Sequence, residues 1–253
     1  MRKVFLAIFI IFLALGISGF FSYRYLVQRI QERDAERADA KKADISITII
    51  EGKRREEIAD QLQAAGITNA ADFLAASAND EGYLFPDTYR FYPDTPASDV
   101  VARMHDDFDE RVGSNPPTTD QLILASIIER EASNDAERPI IAAVYLNRIR
   151  IGMKLQSDPT VQYGKDTLAL AAGTLTKFWQ PITEADYTSV NSPFNTYQIP
   201  GLPPAPICDP GLASIEAAEN PASIDPADIY FYEKNGQLLL AKTLAEHDAQ
   251  AGE

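Results

Sequence analysis

One stretch, residues 118–134 (TTDQLILASIIEREASN), constrains the fold of this chain more than any other. It begins like a helix, because Thr118 and Gln121 have the spacing of a capping box. A nearly unbroken apolar run follows and ends abruptly in the triplet Glu-Arg-Glu at 129–131. A helix that is apolar on nearly all sides is a buried one, and carboxylates at its end are unfavourable unless they are paired, open to a cleft or used in chemistry. The stretch therefore predicts a buried helix with an ion-paired or functional end.

Composition excludes several classes of protein. The chain has 253 residues, of which 45% are hydrophobic and 24% charged, which is ordinary for a folded protein. Its net charge of −14, with no basic stripe, argues against nucleic acid as a partner. With Cys208 as the single cysteine there is no intrachain disulfide, and with only His105 and His247 as histidines a zinc site would need an unusual ligand set. We expect no metal.

The N-terminus indicates a membrane protein. Residues 4–21 carry no charge and are long enough to cross a bilayer as a helix, and Arg2 and Lys3 precede them. We expect a retained single-pass anchor (domain 1–23) in the cell inner (plasma) membrane, with the N-terminus cytoplasmic and the rest outside. A cleaved signal peptide is the alternative, but no clear A-x-A site follows. The dense charges of 24–43 indicate a solvated stalk.

Residues 44–112 predict a small module. Its elements are a strand at 45–50, helices at 54–65 and 70–77, and an amphipathic helix at 98–112. The segment 81–94 is unusually aromatic, and we expect most of these rings to pack a domain junction rather than a ligand. We place the domain boundary at 112/113.

The second domain, 113–253, predicts mostly helices and one hairpin. The predicted elements are the helix at 118–131, a helix at 139–152, a polar turn at 155–160, a proline-rich loop at 191–210, a helix at 209–219 and a hairpin around Asn235-Gly236. Residues 165–190 are weakly patterned and contain no motif. The proline-rich loop suits the rim of a cleft. The fold class is mixed α+β.

The chain has no nucleophile elbow, phosphate-binding loop or dinucleotide fingerprint. Acid–base chemistry by carboxylate side chains is therefore the candidate catalytic chemistry that remains. Glu129 and Glu131 project about 200° apart on a helix and cannot flank one bond together. A two-carboxylate scheme needs a partner such as Asp158, whereas a single half-buried glutamate with a raised pKa could act alone as a general acid. From the residues alone either glutamate fits that role, and pairing with Arg130 or Arg138 is the structural alternative.

Four blocks in the same order resemble one known family. These are EGYLFPDTYRF at 81–91, ASIIEREA at 125–132, YLNRIRIGMKLQSDPTVQYG at 145–164 and NTYQIPGLPPAPICDPG at 195–211. They are similar to the YceG-like (MltG) family of membrane-anchored endolytic murein transglycosylases, over roughly residues 44–250. The small module is similar to the LysM-like subdomain of that family.

The resemblance implies a reaction and its residues. Glycan strands of peptidoglycan would be cut internally between N-acetylmuramic acid and N-acetylglucosamine without water, leaving a 1,6-anhydro sugar, with no cofactor. The family's catalytic glutamate falls on Glu129, which would protonate the glycosidic oxygen and then accept the C6 hydroxyl proton. The residues expected to line the cleft are Asn147, Gln156, Asp158, Asn195 and Tyr197. Cell-wall synthases are the protein partners that this role suggests.

The chain also departs from the family's pattern. The region before the small module is shorter than usual, and a frequent G-x-H-x-F pattern is replaced around Gly236, Leu238 and Leu240. The following KTLAEH at 242–247 matches, so we interpret the change as repacking. Two other functions stay open: a hydrolytic muramidase that also uses Asp158, and a non-catalytic glycan-binding scaffold of the cell-wall machinery.

Overall fold

A computed structural model describes residue 20, residues 23–31 and residues 44–252. The chain divides into two compact units, Met1–Asp44 and Ile45–Glu253. In the first unit, residues 23–31 are helical and mostly exposed. Most of the predicted stalk, 24–43, lies outside the described residues, so the stalk stays a prediction. Within the described ranges, no helix has both the length and the apolar character that a bilayer crossing demands. The predicted membrane segment, 4–21, lies outside the described residues except for Phe20, so the anchor stays a prediction.

The second unit begins with two strands and three helices. Strand β1 (Ile45–Thr48) pairs antiparallel with β2 (Thr88–Phe91), so that Ile45 lies opposite Phe91 and Thr48 opposite Thr88. The helices are α1 (Arg55–Ala64), α2 (Ala70–Ala76) and α3 (Ala97–Val112). The predicted strand–helix–helix order is confirmed, and the second strand forms within the aromatic segment 81–94. Phe85, Tyr89 and Phe91 are buried, which confirms that these rings serve packing.

Helices dominate the rest of this unit. They are α4 (Thr119–Glu131), α5 (Arg138–Arg150), α6 (Asp158–Ala171), α7 (Glu184–Ser189), α8 (Leu212–Glu219) and α9 (Leu244–Ala251). A hairpin of β3 (Tyr230–Lys234) and β4 (Gln237–Ala241) precedes α9. Its turn residues, Asn235 and Gly236, have φ of 54° and 74°, the left-handed values that an Asn-Gly hairpin turn adopts.

Helix α4 forms the centre of this half, as the sequence predicts. The capping box is present: the Thr118 hydroxyl accepts the Gln121 N–H at 3.3 Å, and the Gln121 side chain accepts the Thr118 N–H at 2.8 Å. Every residue from 122 to 128 is buried, because α4 packs against α5, α6 and α8. The predicted all-round burial is confirmed.

Two helices were not predicted. Helix α6 begins where the sequence indicated a polar turn and continues into the weakly patterned region, which also holds α7. The buried face of α6 includes polar and small residues, Thr160, Gly164 and Asp166 among them, so no apolar periodicity marks it. Pro159 is compatible with the helix because it lies in the first turn, where its missing N–H is not needed.

Two separate apolar cores lie within the unit Ile45–Glu253. One is formed by β1, β2 and helices α1 to α3, and the other is centred on α4. Helix α3 contributes to both, with Met104 in the first core and Phe108 in the second. The boundary that the sequence suggested at 112/113 therefore falls at the end of the helix that joins the cores, and as a domain division it stays a prediction.

Candidate active site

The carboxylate of Glu129 makes structural contacts through both of its oxygens. Its Oε1 accepts a hydrogen bond from Arg138 Nη2 at 3.2 Å, and its Oε2 accepts bonds from Ser214 Oγ at 2.8 Å and from the Gly211 N–H at 3.1 Å. The Glu129 and Arg138 side chains are only 7% and 9% exposed. Gly211 is the N-cap of α8, so the carboxylate also lies where the helix dipole favours negative charge. Both oxygens of Glu129 are thus occupied, and the ion pair expected as the structural alternative is formed.

Glu131 is bound differently. Its Oε1 accepts hydrogen bonds from Ser157 Oγ at 2.5 Å and from the Tyr145 hydroxyl at 2.8 Å. Among the described residues, none donates a hydrogen bond to Oε2. One oxygen is therefore held in place while the other remains open to a ligand.

The two glutamates line different cavities. Glu131 lies in a cavity of about 400 Å³, which we call the Glu131 cleft. Its lining residues are Glu131, Tyr145, Arg148, Gln156, Asp158, Tyr197, Tyr230, Phe231, Leu244 and His247. Glu129 instead borders a cavity of about 530 Å³ formed mainly by residues 48–51 and 86–88.

The environment of Glu131 favours its protonated form. Burial raises the pKa of this carboxyl, and the nearby charge of Asp158 raises it further. The hydrogen bonds from Ser157 and Tyr145 and the charge of Arg148 oppose the rise in pKa without cancelling it. A carboxyl with a raised pKa is suited to donating a proton near neutral pH.

Three of the residues predicted to line a cleft lie together in one cavity, with Glu131 rather than with Glu129. Gln156, Asp158 and Tyr197 all line the Glu131 cleft. The Tyr197 hydroxyl donates to Asp158 Oδ1 at 2.8 Å, and the Tyr197 ring stacks on Tyr187 with centroids 3.9 Å apart. Gln156 has a φ of 52°, a backbone conformation uncommon for a residue with a side chain and often found at functional sites.

The other two predicted residues, Asn147 and Asn195, are not among the residues that line the cleft, and their amides bind backbone carbonyls of segments that adjoin it in sequence. The Asn147 amide donates to the carbonyls of Asp225 and Asp228 at 3.1 and 3.0 Å, which fixes the segment before the β3–β4 hairpin. Asn195 is fully buried, and its amide donates to the carbonyls of Tyr187 and Val190 at 3.2 and 2.9 Å. These two polar residues, which lie in blocks that resemble the family, therefore stabilise the local backbone rather than face the cleft.

Sequence reasoning missed several residues that line the cleft or bind Glu131. Ser157 and Tyr145, which bind Glu131, carried no recognisable signal because a serine in a turn and a tyrosine on an apolar helix face are common. Arg148 also lines the cleft, and it donates from Nε to the Ile229 carbonyl at 2.6 Å. His247 belongs to the matching segment 242–247 and lines the cleft, but no pattern in the sequence assigns it a role.

Arg130, between the two glutamates, has a packing role. Its guanidinium lies 4.0 Å from the centroid of the Trp179 ring, and the Trp179 indole N–H donates to Glu57 Oε2 at 2.8 Å. This stack ties the end of α4 to α1, so the last turn of α4 is fixed from both cores.

As for metal ions, the described ranges contain no cluster of three or more histidine, cysteine, aspartate or glutamate residues suited to holding one.

Fold and site together define a class: a mixed α+β protein with a carboxylate in an aromatic-lined cleft. The chain belongs to the YceG-like family, whose model matches residues 17–253. A crystal structure of a YceG-like protein from Listeria monocytogenes is 30% identical, superposes with a TM-score of 0.67, and matches 81% of this chain and 75% of that one. The mixed α+β fold is therefore that of the family.

Curated relatives are similar over part of their length. An endolytic murein transglycosylase of Bacillus subtilis is 39% identical over 178 residues, which cover 66% of this chain and 46% of that protein. An endolytic murein transglycosylase of Streptococcus pneumoniae strain D39 is 29% identical over 187 residues, covering 68% of this chain and 32% of that protein. The chain thus spans less than half the length of either relative.

Proposed function

We propose that this protein is an endolytic murein transglycosylase that cleaves the bond between N-acetylmuramic acid and N-acetylglucosamine within peptidoglycan strands. The observation that carries the proposal is the Glu131 carboxyl, which has a raised pKa, one oxygen held by Ser157 and Tyr145, and the other open to the cleft. The family membership and the names of the curated relatives support the substrate class.

In this proposal Glu131, rather than Glu129, is the catalytic acid and base. Glu131 gives its proton to the glycosidic oxygen as the bond from that oxygen to C1 of the muramic acid breaks. The C6 hydroxyl oxygen of the same sugar then bonds to C1, and Glu131 accepts the hydroxyl proton. The product carries a 1,6-anhydro ring, water is not consumed, and Glu131 returns to its starting state. Because the nucleophile belongs to the substrate, one well-positioned carboxyl is sufficient.

The remaining cleft residues have binding roles in this proposal. Gln156 and Asp158 offer hydrogen bonds to sugar hydroxyls and acetamido groups, and the Tyr197 ring, backed by Tyr187, offers an apolar face to a sugar. Asn147 and Asn195 act indirectly by fixing the segments next to the cleft residues Tyr230 and Tyr197.

Hydrolysis is the second candidate, because Asp158 lies in the same cleft as Glu131. An inverting or retaining hydrolase uses a second carboxylate to activate water or to attack the sugar. Against this role, the Tyr197 hydroxyl already donates to Asp158 Oδ1. We therefore favour transfer to the substrate's own hydroxyl.

The cellular setting is also part of the proposal. Residues 4–21 would anchor the chain in the plasma membrane with the N-terminus in the cytoplasm, and residues 44–112 would form a LysM-like module beside the extracytoplasmic catalytic part. In that position the protein would meet newly made strands close to the synthases that produce them.

The product mass tests the reaction. The detergent-solubilised full chain is incubated with purified glycan strands, beside Glu131→Gln and Glu129→Gln, and the products are analysed by mass spectrometry. Anhydro-ended fragments from all but Glu131→Gln would support the proposal. Fragments heavier by one water would identify a hydrolase, and folded protein that binds strands without cutting them would indicate a binding scaffold.

A further inference from the structure

The C-terminal helix α9 supplies a residue to the Glu131 cleft that the proposed reaction does not yet use. His247 lies on α9 and lines the cleft together with Leu244 of the same helix. Helix α9 packs on both strands of the β3–β4 hairpin, so the hairpin decides where His247 lies.

The hairpin is fastened directly to α5, the helix that carries Tyr145. Arg148 Nε donates to the Ile229 carbonyl at 2.6 Å, and Arg150 Nη2 donates to the Pro226 carbonyl at 2.8 Å. The Tyr145 and Phe231 rings meet edge to face with centroids 5.7 Å apart. Helix α5, which positions Tyr145 on Glu131, thus also fixes the β3–β4 hairpin. Because α9 packs on that hairpin, His247 has a defined place in the cleft.

Contacts on its other sides orient the His247 ring. The ring lies 5.9 Å from the Tyr230 centroid and 5.5 Å from the Tyr232 centroid, the latter edge to face. Its Nδ1 is 3.2 Å from Asp248 Oδ1. An ionised carboxylate only accepts hydrogen bonds, so Nδ1 carries the hydrogen, and in the neutral ring Nε2 is then an acceptor. Within the described residues, Nε2 makes no hydrogen bond.

We propose that His247 is a substrate-binding residue of the Glu131 cleft, and that its Nε2 accepts a hydrogen bond from a hydroxyl or acetamido N–H of the bound glycan. This inference rests on the proposed function, since it takes the glycan as the ligand. A sugar chain presents donors of this kind on every ring. His247 lines the same cleft as Glu131, and its Nε2 atom has no hydrogen-bond partner among the described residues, so it is available to accept such a bond. His247 then contributes to affinity rather than to proton transfer.

The chain offers a matched internal control, because it contains only two histidines. His105 is on α3, stacks on Tyr83 at 6.0 Å and lies 3.3 Å from Asp80, and it is not among the cleft residues. In full-length protein labelled with ¹³C-histidine and ¹⁵N-glutamine and kept in detergent, each histidine gives one Cε1–H signal and the Gln156 side-chain amide is observed in the same sample. The Glu131→Gln variant prevents turnover during the titration.

The probe is a peptide-free tetrasaccharide of alternating N-acetylglucosamine and N-acetylmuramic acid. We expect a saturable shift of the His247 signal and no shift of the His105 signal. A response at the Gln156 side-chain amide without one at His247 would overturn this inference and leave the cleft as the glycan site. If neither responds, the Glu131 cleft does not bind glycan, and both this inference and the proposed function fail.

Variants provide an independent readout in the active protein. His247→Leu should lower kcat/KM about five- to tenfold, mainly through KM, as expected for the loss of one hydrogen bond. His247→Gln should recover much of the loss, because its amide oxygen replaces the acceptor, whereas His105→Leu should leave kcat/KM unchanged. Equal losses in His247→Leu and His247→Gln, with unchanged KM, would show that His247 is a packing residue only.

Discussion

Glu129 and Glu131 lie two positions apart on α4, yet their carboxylates belong to different cavities and make no common contact. Successive residues of a helix turn by about 100°, so these two side chains leave α4 in nearly opposite directions. Arg138 and the start of α8 bind both oxygens of Glu129, whereas Ser157 and Tyr145 bind a single oxygen of Glu131. The first arrangement builds structure, and the second leaves a carboxyl available for chemistry.

The two glutamates should therefore respond differently to the same substitution. Glu131→Gln should lower the rate of strand cleavage by about 10²–10⁴-fold, the usual contribution of a general acid, with little change in stability. Glu129→Gln should retain cleavage within about tenfold but lower the free energy of unfolding by about 1–3 kcal/mol, because the buried Arg138 loses the nearest and most buried of its three carboxylate partners. Release of anhydro-ended fragments and denaturant unfolding measure the two effects. The opposite pattern would return the catalytic role to Glu129.

The pH dependence of cleavage should follow the neighbours of Glu131. A general acid must be protonated, so kcat/KM should fall as the pH rises through the raised pKa of Glu131. The Ser157 hydrogen bond lowers that pKa and the charge of Asp158 raises it. Ser157→Ala should therefore move the falling limb to higher pH, and Asp158→Asn should move it to lower pH. Profiles of kcat/KM against pH test this, and shifts in the same direction for both variants would contradict the assignment.

A buried acid pair away from the cleft should make stability depend on pH. Burial, and then the charge of Glu56, raises the pKa of Glu81 to about 8, and burial together with Glu81 raises the pKa of Asp209. The native state then binds more protons than the unfolded state between the ordinary pKa of 4.5 and about 8. Stability due to this group is complete below pH 4.5 and is lost progressively as the pH rises from 4.5 through about 8, by on the order of 5 kcal/mol.

Glu81→Gln removes this titration while retaining the shape of the side chain. We expect the variant to match the parent protein near pH 4.5 and to exceed it in stability near pH 9. Urea unfolding at a series of pH values measures the difference. A difference that does not change with pH would mean that Glu81 ionises normally in the folded protein.

Alanine substitutions at Gly66 and Gly82 should distinguish backbone strain from steric crowding, because the two glycines have similar φ values but different surroundings. Gly66 and Gly82 have φ of 71° and 92°, so alanine is strained at both, by about 1–2 kcal/mol. A Cβ at Gly66 meets nothing within 4 Å, whereas one at Gly82 would lie 2.7 Å from Pro206 Cγ. Gly82→Ala should lower the free energy of unfolding by about 1–3 kcal/mol more than Gly66→Ala. Equal losses of unfolding free energy in the two variants would show that the proline-rich loop moves away from the new methyl group without loss of stability.

Local signals in the sequence predicted much of the fold. The Thr118–Gln121 capping box, the apolar run of α4 and the Asn235-Gly236 turn each depend on residues close together in the chain, and all three are confirmed. Helix α6 escaped prediction because its buried face contacts other polar groups, such as the Thr160 hydroxyl against Thr196 Oγ1 at 2.8 Å. Those partners are remote in sequence, so no local period indicates them.

The sequence by itself determined that a buried helix ends in Glu129 and Glu131. It predicted that one of them suits acid–base chemistry, and the family resemblance predicted that Gln156, Asp158 and Tyr197 accompany it. Only the tertiary structure distinguished the surroundings of the two glutamates. That difference depends on which groups reach the end of α4: Ser214, which is 85 positions from Glu129, and Ser157, which is 26 positions from Glu131. Hydrogen bonds across such separations form only once the helices have packed, because packing fixes both partners at bonding distance.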